Sequence, residues 1–190
     1  MTLKKNRKGV IAAFAAAAAL SLAAFAGLNL FTAQAEETPL TMVPGASVRV
    51  EPDRNGIRFT AEIDQTFYEE KVQNGAYVED GTFGMLLFPE EYLNGAAGTV
   101  DYKTYFEEKG FVPEEKTYTP AEIFEDENGA HLLRLSLVDL YLQNVTLDFM
   151  AVAYYSDGAT CTYSAPAEAR SAFEVAAKAL AKTAEAEEDW

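Results

Sequence analysis

Gly56-Ile57-Arg58-Phe59-Thr60-Ala61-Glu62-Ile63 alternates apolar and polar side chains almost without a break. Successive strand side chains point to opposite faces. The octet therefore predicts a strand with Ile57, Phe59, Ala61 and Ile63 buried and Arg58, Thr60 and Glu62 in water. Asp53-Arg54-Asn55-Gly56 reads as a hairpin turn leading back to a strand at Ser47-Val48-Arg49-Val50. Alternation returns over residues 132–140, where Leu133, Leu135 and Leu137 oppose Arg134 and Ser136. Residues 145–155 (VTLDFMAVAYY) predict a long strand, turned by Ser156-Asp157-Gly158 into a partner over 159–164. Residues 82–88 (TFGMLLF) are almost wholly apolar and stop at Pro89, as an interior strand does.

Helices are fewer. Asp64 is placed to cap a short one reaching about Asn74 and closed by Gly75. A second is predicted over 101–109, with Tyr102, Tyr105 and Phe106 on one face. Residues 111–129 hold two prolines and an acidic cluster and predict mostly loop. From about Pro166 the period becomes helical, with Ala169, Phe173, Ala176, Ala177 and Leu180 as one apolar stripe and Ser164 as cap. The acids Glu185, Glu187, Glu188 and Asp189 oppose the helix dipole, so the end should fray. The whole predicts a mainly β, antiparallel sandwich-like domain with one or two short inserted helices and a C-terminal helix; α+β is the alternative.

The N-terminus carries export chemistry. Lys4, Lys5, Arg7 and Lys8 precede a long alanine-rich apolar run that ends at Ala33-Gln34-Ala35. Basic, apolar and small-x-small regions in that order read as a signal peptide over 1–35, cut before Glu36; an uncleaved anchor is the alternative. One secreted domain over 36–184 and an acidic tail over 185–190 would remain. The expected location is extracellular, with loose association with the cell surface as an option.

Charge and composition narrow the partners. The chain of 190 residues has 15 Lys+Arg, 30 Asp+Glu and a net charge of −15, and losing the leader deepens that by four. Such a field opposes nucleic acid and anionic lipid, so neither they nor a membrane (after cleavage) are expected partners; cations and basic partners suit it. At 49% hydrophobic residues the chain is too apolar for a disordered one. A single cysteine, Cys161, excludes a disulfide framework, and a single histidine, His131, excludes two-His metal motifs.

Gly45-Ala46-Ser47-Val48-Arg49, Gly56-Ile57-Arg58-Phe59-Thr60, Phe83-Gly84-Met85-Leu86-Leu87-Phe88-Pro89, an Asn144-led strand ending in Ala153-Tyr154, and Arg170-Ser171 opening a helix occur in that order. This ordered set resembles a domain of unassigned activity that recurs in secreted and surface proteins of gut Firmicutes. The resemblance spans about 45–180 and implies an exported module, often accompanied by carbohydrate-active or adhesive modules. It supplies no active site.

Candidate sites are few. Glu51, Asp53, Asn55 and Glu62 fall at calcium-loop spacing, with Gly56 at the sixth position. Pro52 and Arg58 break that pattern, so a hairpin explains it more simply; no cofactor is expected, with calcium as the one exception. Asp148 interrupts an apolar strand and is the candidate acid for carboxylate-dependent glycan hydrolysis, or else an ion-pair partner of Arg58, Arg134 or Arg170. Tyr141, Tyr154, Tyr155 and Tyr163 lie near one hairpin and are the candidate stacking platform for a sugar or peptide. The poor stock of catalytic groups favours a non-catalytic extracellular module binding a polysaccharide, cell-wall polymer or protein partner. A glycan hydrolase and a structural or assembly domain of a surface complex are the alternatives.

Overall fold

The computed structural model describes residues 38–49, 56–93 and 100–188. The leader with Ala33, Ala35 and Glu36, the predicted hairpin turn at Asp53 to Asn55 with Glu51, and the last residues Asp189 and Trp190 lie outside them.

The alternating octet forms β3 (Gly56–Ile63), the centre of the first antiparallel sheet. Along one edge of β3 run two short strands in succession, β1 (Leu40–Met42) beside its end and β2 (Ser47–Arg49) beside its start. Its other edge pairs over its full length with β9 (His131–Val138), from Gly56↔Val138 to Ile63↔His131. The two-residue β8 (Phe124–Glu125) lies outside β9. The second sheet is built the same way. Its centre pairs β6 (Thr82–Pro89) with β10 (Asp148–Ser156), from Thr82↔Ser156 to Pro89↔Phe149. β7 (Glu114–Tyr118) flanks β6, and β11 (Cys161–Tyr163) and β12 (Arg170–Ser171) share the far edge of β10. A separate hairpin joins β4 (Val72–Gln73) to β5 (Ala76–Tyr77).

Side-chain alternation decides the layers. Ile57, Phe59, Ala61, Ile63, Leu133 and Leu135 of the first sheet meet Phe83, Met85, Leu87, Phe149, Ala151, Ala153 and Tyr155 of the second in one core. The even positions of the second sheet, Leu86, Phe88, Val152 and Tyr154, enter another core beneath Tyr102 and Phe106 of a short helix, α2 (Tyr102–Glu108). The second sheet is therefore buried on both faces, which is why residues 82–88 carry so little polarity. The first sheet sends Arg58, Thr60, Glu62, Arg134 and Ser136 outward. The fold is mainly β, antiparallel and sandwich-like, with short helices and a C-terminal one.

Several expectations need correction. The helix α1 (Gln65–Lys71) is capped by Asp64, whose carboxylate accepts from Phe67 N at 2.9 Å, but it stops before Asn74-Gly75. Those two residues, with φ of 54° and 75°, make the turn between β4 and β5 instead. Residues 111–129 hold β7, whose Glu114, Glu115 and Lys116 suit an edge strand. Residues 145–147 form a turn, and the strand starts at Asp148. The C-terminal helix α3 (Ala172–Glu188) starts six residues after Pro166. Its cap is Ser171, whose Oγ accepts from Glu174 N at 3.2 Å, while Ser164 is buried and bonded to Ala153 N. Because β12 pins Ser171 against Asp148, the helix starts with Ala172 and Val175 facing the core. The predicted stripe is left outside, with Phe173 60% and Leu180 72% exposed.

The cations lean on rings. Lys71 lies over Phe67 and Tyr155, Lys103 over Tyr154, Lys109 over Tyr105, Lys116 over Tyr118 and Arg134 over Phe124.

Gly84 sits opposite Tyr154 in the β6–β10 register, and a Cβ there would enter the Tyr154 ring. The ring cannot swing clear, because its hydroxyl donates to Glu115 and Lys103 Nζ lies 4.1 Å from its centroid. Gly84→Ala is expected to lower stability by about 2 kcal/mol in urea denaturation. The same change in a Tyr154→Leu background should cost about 1 kcal/mol less. Equal costs in both backgrounds would show that the ring is not the obstacle.

Candidate functional site

The end of the first sheet, where β3 stops and β9 begins, holds an open groove of about 660 Å³. Three pieces of chain build it. β3 contributes Glu62 and Ile63, and Gln65 follows from the first turn of α1. The third piece is the turn 126–130 with Glu125 before it and His131 after it. Asp126 organises that turn: its carboxylate accepts from Asn128 N at 2.9 Å and Ala130 N at 2.8 Å, and Gly129 takes a φ of 84°. Those bonds, the one from Ala130 foremost, hold the Asp126 carboxyl below its usual range.

His131 continues the inward phase of Leu133 and Leu135 but stands at the rim rather than in the core. Tyr68 of α1 stacks on the imidazole at 3.5 Å between centroids and 23° between planes. The residue is 9% exposed, and its ring nitrogens have no hydrogen-bond partner among the described residues. Burial, followed by the Glu125 charge, raises the Tyr68 hydroxyl above its ordinary pKa, so the Glu125 field reaches this corner. Each side-chain amide of the groove has one N–H engaged. The Gln65 amide nitrogen donates to Glu69 at 2.7 Å and that of Asn128 to Asp126 at 3.4 Å. The Glu62 and Glu125 carboxylates and the two amide oxygens are left as acceptors, and among the described residues no lysine or arginine lines the groove.

The candidates read from the sequence fall in separate places. Glu62 is exposed at the groove, while its proposed calcium partners Glu51, Asp53 and Asn55 lie outside the described residues. Among the described residues no cluster of three or more His, Cys, Asp and Glu side chains has the geometry to hold a metal ion. Asp148 is exposed at the first position of β10, opposite Ser171. None of the three arginines pairs with it among the described residues. Arg58 Nε donates to Ser136 Oγ at 3.0 Å, Arg134 lies over Phe124, and Arg170 pairs with Glu168.

The four tyrosines do not form one platform. Tyr141 is 74% exposed, whereas Tyr154 and Tyr155, consecutive on β10, are buried on opposite faces of the sheet. Strand alternation makes that separation unavoidable. Tyr154 belongs to a polar cluster under α2. Its hydroxyl donates to Glu115, Lys103 pairs with the same carboxylate at 2.8 Å, and Tyr163 donates to Asp101 at 3.1 Å. Burial alone would raise the Glu115 carboxyl, but the bonds from Lys103 and Tyr154 and the Lys103 charge outweigh it and hold it low. This cluster satisfies its own members and is a structural device.

Sequence reasoning missed the His131 groove. The available signal was the lone histidine at the head of an alternating strand, in the phase of Leu133 and Leu135. Its stacking partner is 63 residues away, beyond any local pattern.

Buried hydroxyls give the protein an alkaline limit. Burial pushes Tyr77 up to about 12 and raises Tyr118, Tyr154 and Tyr163 further. A folded pKa above the unfolded value of about 10 means stability that is full below that pH and lost as it rises towards the folded value. Ultraviolet titration is expected to show the exposed tyrosines ionising first and the buried ones only as the β circular-dichroism signal collapses. Ionisation of all ten in one step with the fold intact would contradict this.

No family model, curated protein or solved structure matches this chain.

Proposed function

We propose that the protein is a non-catalytic extracellular module that holds a polysaccharide, cell-wall polymer or protein partner at the groove bordered by His131. The observation that carries this reading is the histidine itself: nine-tenths buried, braced by Tyr68 and without a hydrogen-bond partner among the described residues. Among the described residues the fully buried side-chain atoms without a partner are the Tyr105 and Tyr118 hydroxyls, not the imidazole nitrogens, which open on the groove where a ligand atom would take the place of water. The export signal and the ordered resemblance support the extracellular half. Asp148 stands exposed at a strand end, a weak position for an acid that must be desolvated to work.

A second reading, a structural or assembly domain, has its own support. Phe173 N donates to Val145 O at 2.9 Å, which brings exposed Phe173 beside the turn that follows exposed Tyr141 and Leu142.

The test is retention of the purified protein on bacterial cell walls and insoluble polysaccharides, with calcium and with chelator. The expected result is retention on one polymer without release of soluble sugar, weakened by His131→Ala. Release of sugar would replace the module by the hydrolase and make Asp148 the first residue to substitute. Retention that requires calcium would implicate the loop of Glu51, Asp53, Asn55 and Glu62. Failure on every polymer, with self-association in sedimentation that Phe173→Ser abolishes, would favour the assembly domain.

A further inference from the structure

We propose that the groove recognises a positively charged, hydrogen-bond-donating side chain, the ammonium of a lysine or the guanidinium of an arginine, on an extended segment of a protein partner. This rests on the binding reading above and narrows it to one chemistry.

The groove is poor in positive charge. Each of its two side-chain amides has one N–H engaged, by Glu69 or by Asp126, and among the described residues no lysine or arginine lines it. It offers the carboxylates of Glu62 and Glu125, the amide oxygens of Gln65 and Asn128, and the imidazole of His131. An anion would meet two like charges there. A neutral hydroxyl group can donate only one proton to this set. An ammonium donates three and a guanidinium five, and either neutralises charge while doing so.

An acidic rim alone would be a solvated surface. The independent observation is His131, whose nitrogens lack a partner among the described residues although the side chain is nine-tenths buried and borders the groove. Stacking on Tyr68 fixes the ring plane, so the imidazole is held in one orientation rather than turning to find a partner in the core.

A peptide is favoured over an amino-sugar polymer by the neighbouring backbone. Glu125 belongs to β8, the outermost strand of the first sheet, which among the described residues pairs on one side only, with β9. Its open side gives an extended chain main-chain groups to pair with, as strand addition requires, and a sugar polymer has none to offer. The net charge of −15 would steer a basic segment towards the protein.

The single histidine makes the test clean, because the imidazole signals in proton–nitrogen NMR can come from His131 alone. The full chain is titrated with N-acetylated Gly-Arg-Gly and Gly-Lys-Gly amides, with the uncharged N-acetylated Gly-Gln-Gly amide, with a glucosamine oligomer and with its N-acetylated form. The imidazole signals are expected to move with both cationic peptides, to stay with the glutamine peptide, and to move less as salt is raised. Glu62→Gln and Glu125→Gln, both at exposed positions, should each weaken the cationic peptides about tenfold. Movement with the glucosamine oligomer but neither peptide would overturn the protein partner. Movement with the N-acetylated oligomer alone would overturn the cationic chemistry and leave the groove as a binding site. No movement with any probe would overturn the use of this groove, even where the protein is retained on a polymer. Cationic shifts unchanged in the Glu62→Gln, Glu125→Gln double variant would overturn the role of the carboxylates.

Discussion

The ring of Tyr154 occupies space that only a glycine on the neighbouring strand can leave. Gly84 is that residue, and the pairing of β6 with β10 brings the two opposite each other. Everything above the second sheet is arranged around this contact. The hydroxyl is drawn to Glu115 on β7, Lys103 of α2 covers the ring face, and Phe88, Tyr102 and Phe106 close the layer. Tyr155, one residue on, points the other way, against Gly81 and towards Phe67 and Phe83 in the core between the sheets. Two consecutive tyrosines and two glycines thus fix register and layering together, since a slip by one residue would exchange the faces of both rings.

The connections follow a repeated plan. The chain enters along one edge of the first sheet (β1, β2), takes its centre (β3), crosses to the centre of the second (β6) and then its edge (β7). It returns to the remaining edge and centre of the first (β8, β9), crosses again to the second (β10), and finishes on its last edge (β11, β12). The two central crossings differ in their cargo. Between β3 and β6 the chain inserts α1, which carries Tyr68 to the end of the first sheet. Between β9 and β10 it makes a short single turn of helix. The groove exists because the first crossing is long enough to fold a helix over His131.

Individual strands were legible because alternation is a local property. Gly56–Ile63, His131–Val138 and the hairpin of β10 with β11 follow their patterns closely. Two kinds of feature were not local. The split edges and the crossings depend on which strand pairs with which, and short segments such as Arg170–Ser171 become strands only because β10 offers them an edge. Helix phase in α3 was misread for the same reason. The segment carries two apolar stripes, and the pairing of Ser171 chooses between them. The tyrosine platform failed on strand geometry: neighbours in sequence are on opposite faces of a sheet. At the groove, Glu62 was singled out for a different partnership, and His131 entered only as the single histidine that excludes two-His metal motifs.

The cations lying over aromatic rings have an electrostatic consequence. Lys71, Lys103, Lys109, Lys116 and Arg134 lay their charges against ring faces, and Lys71, Lys103 and Lys116 also pair with acids. Each positive charge thus engaged is drawn towards the protein rather than held out into the solvent. With these cations occupied by rings and acids, the remaining carboxylates set the field that an approaching molecule meets.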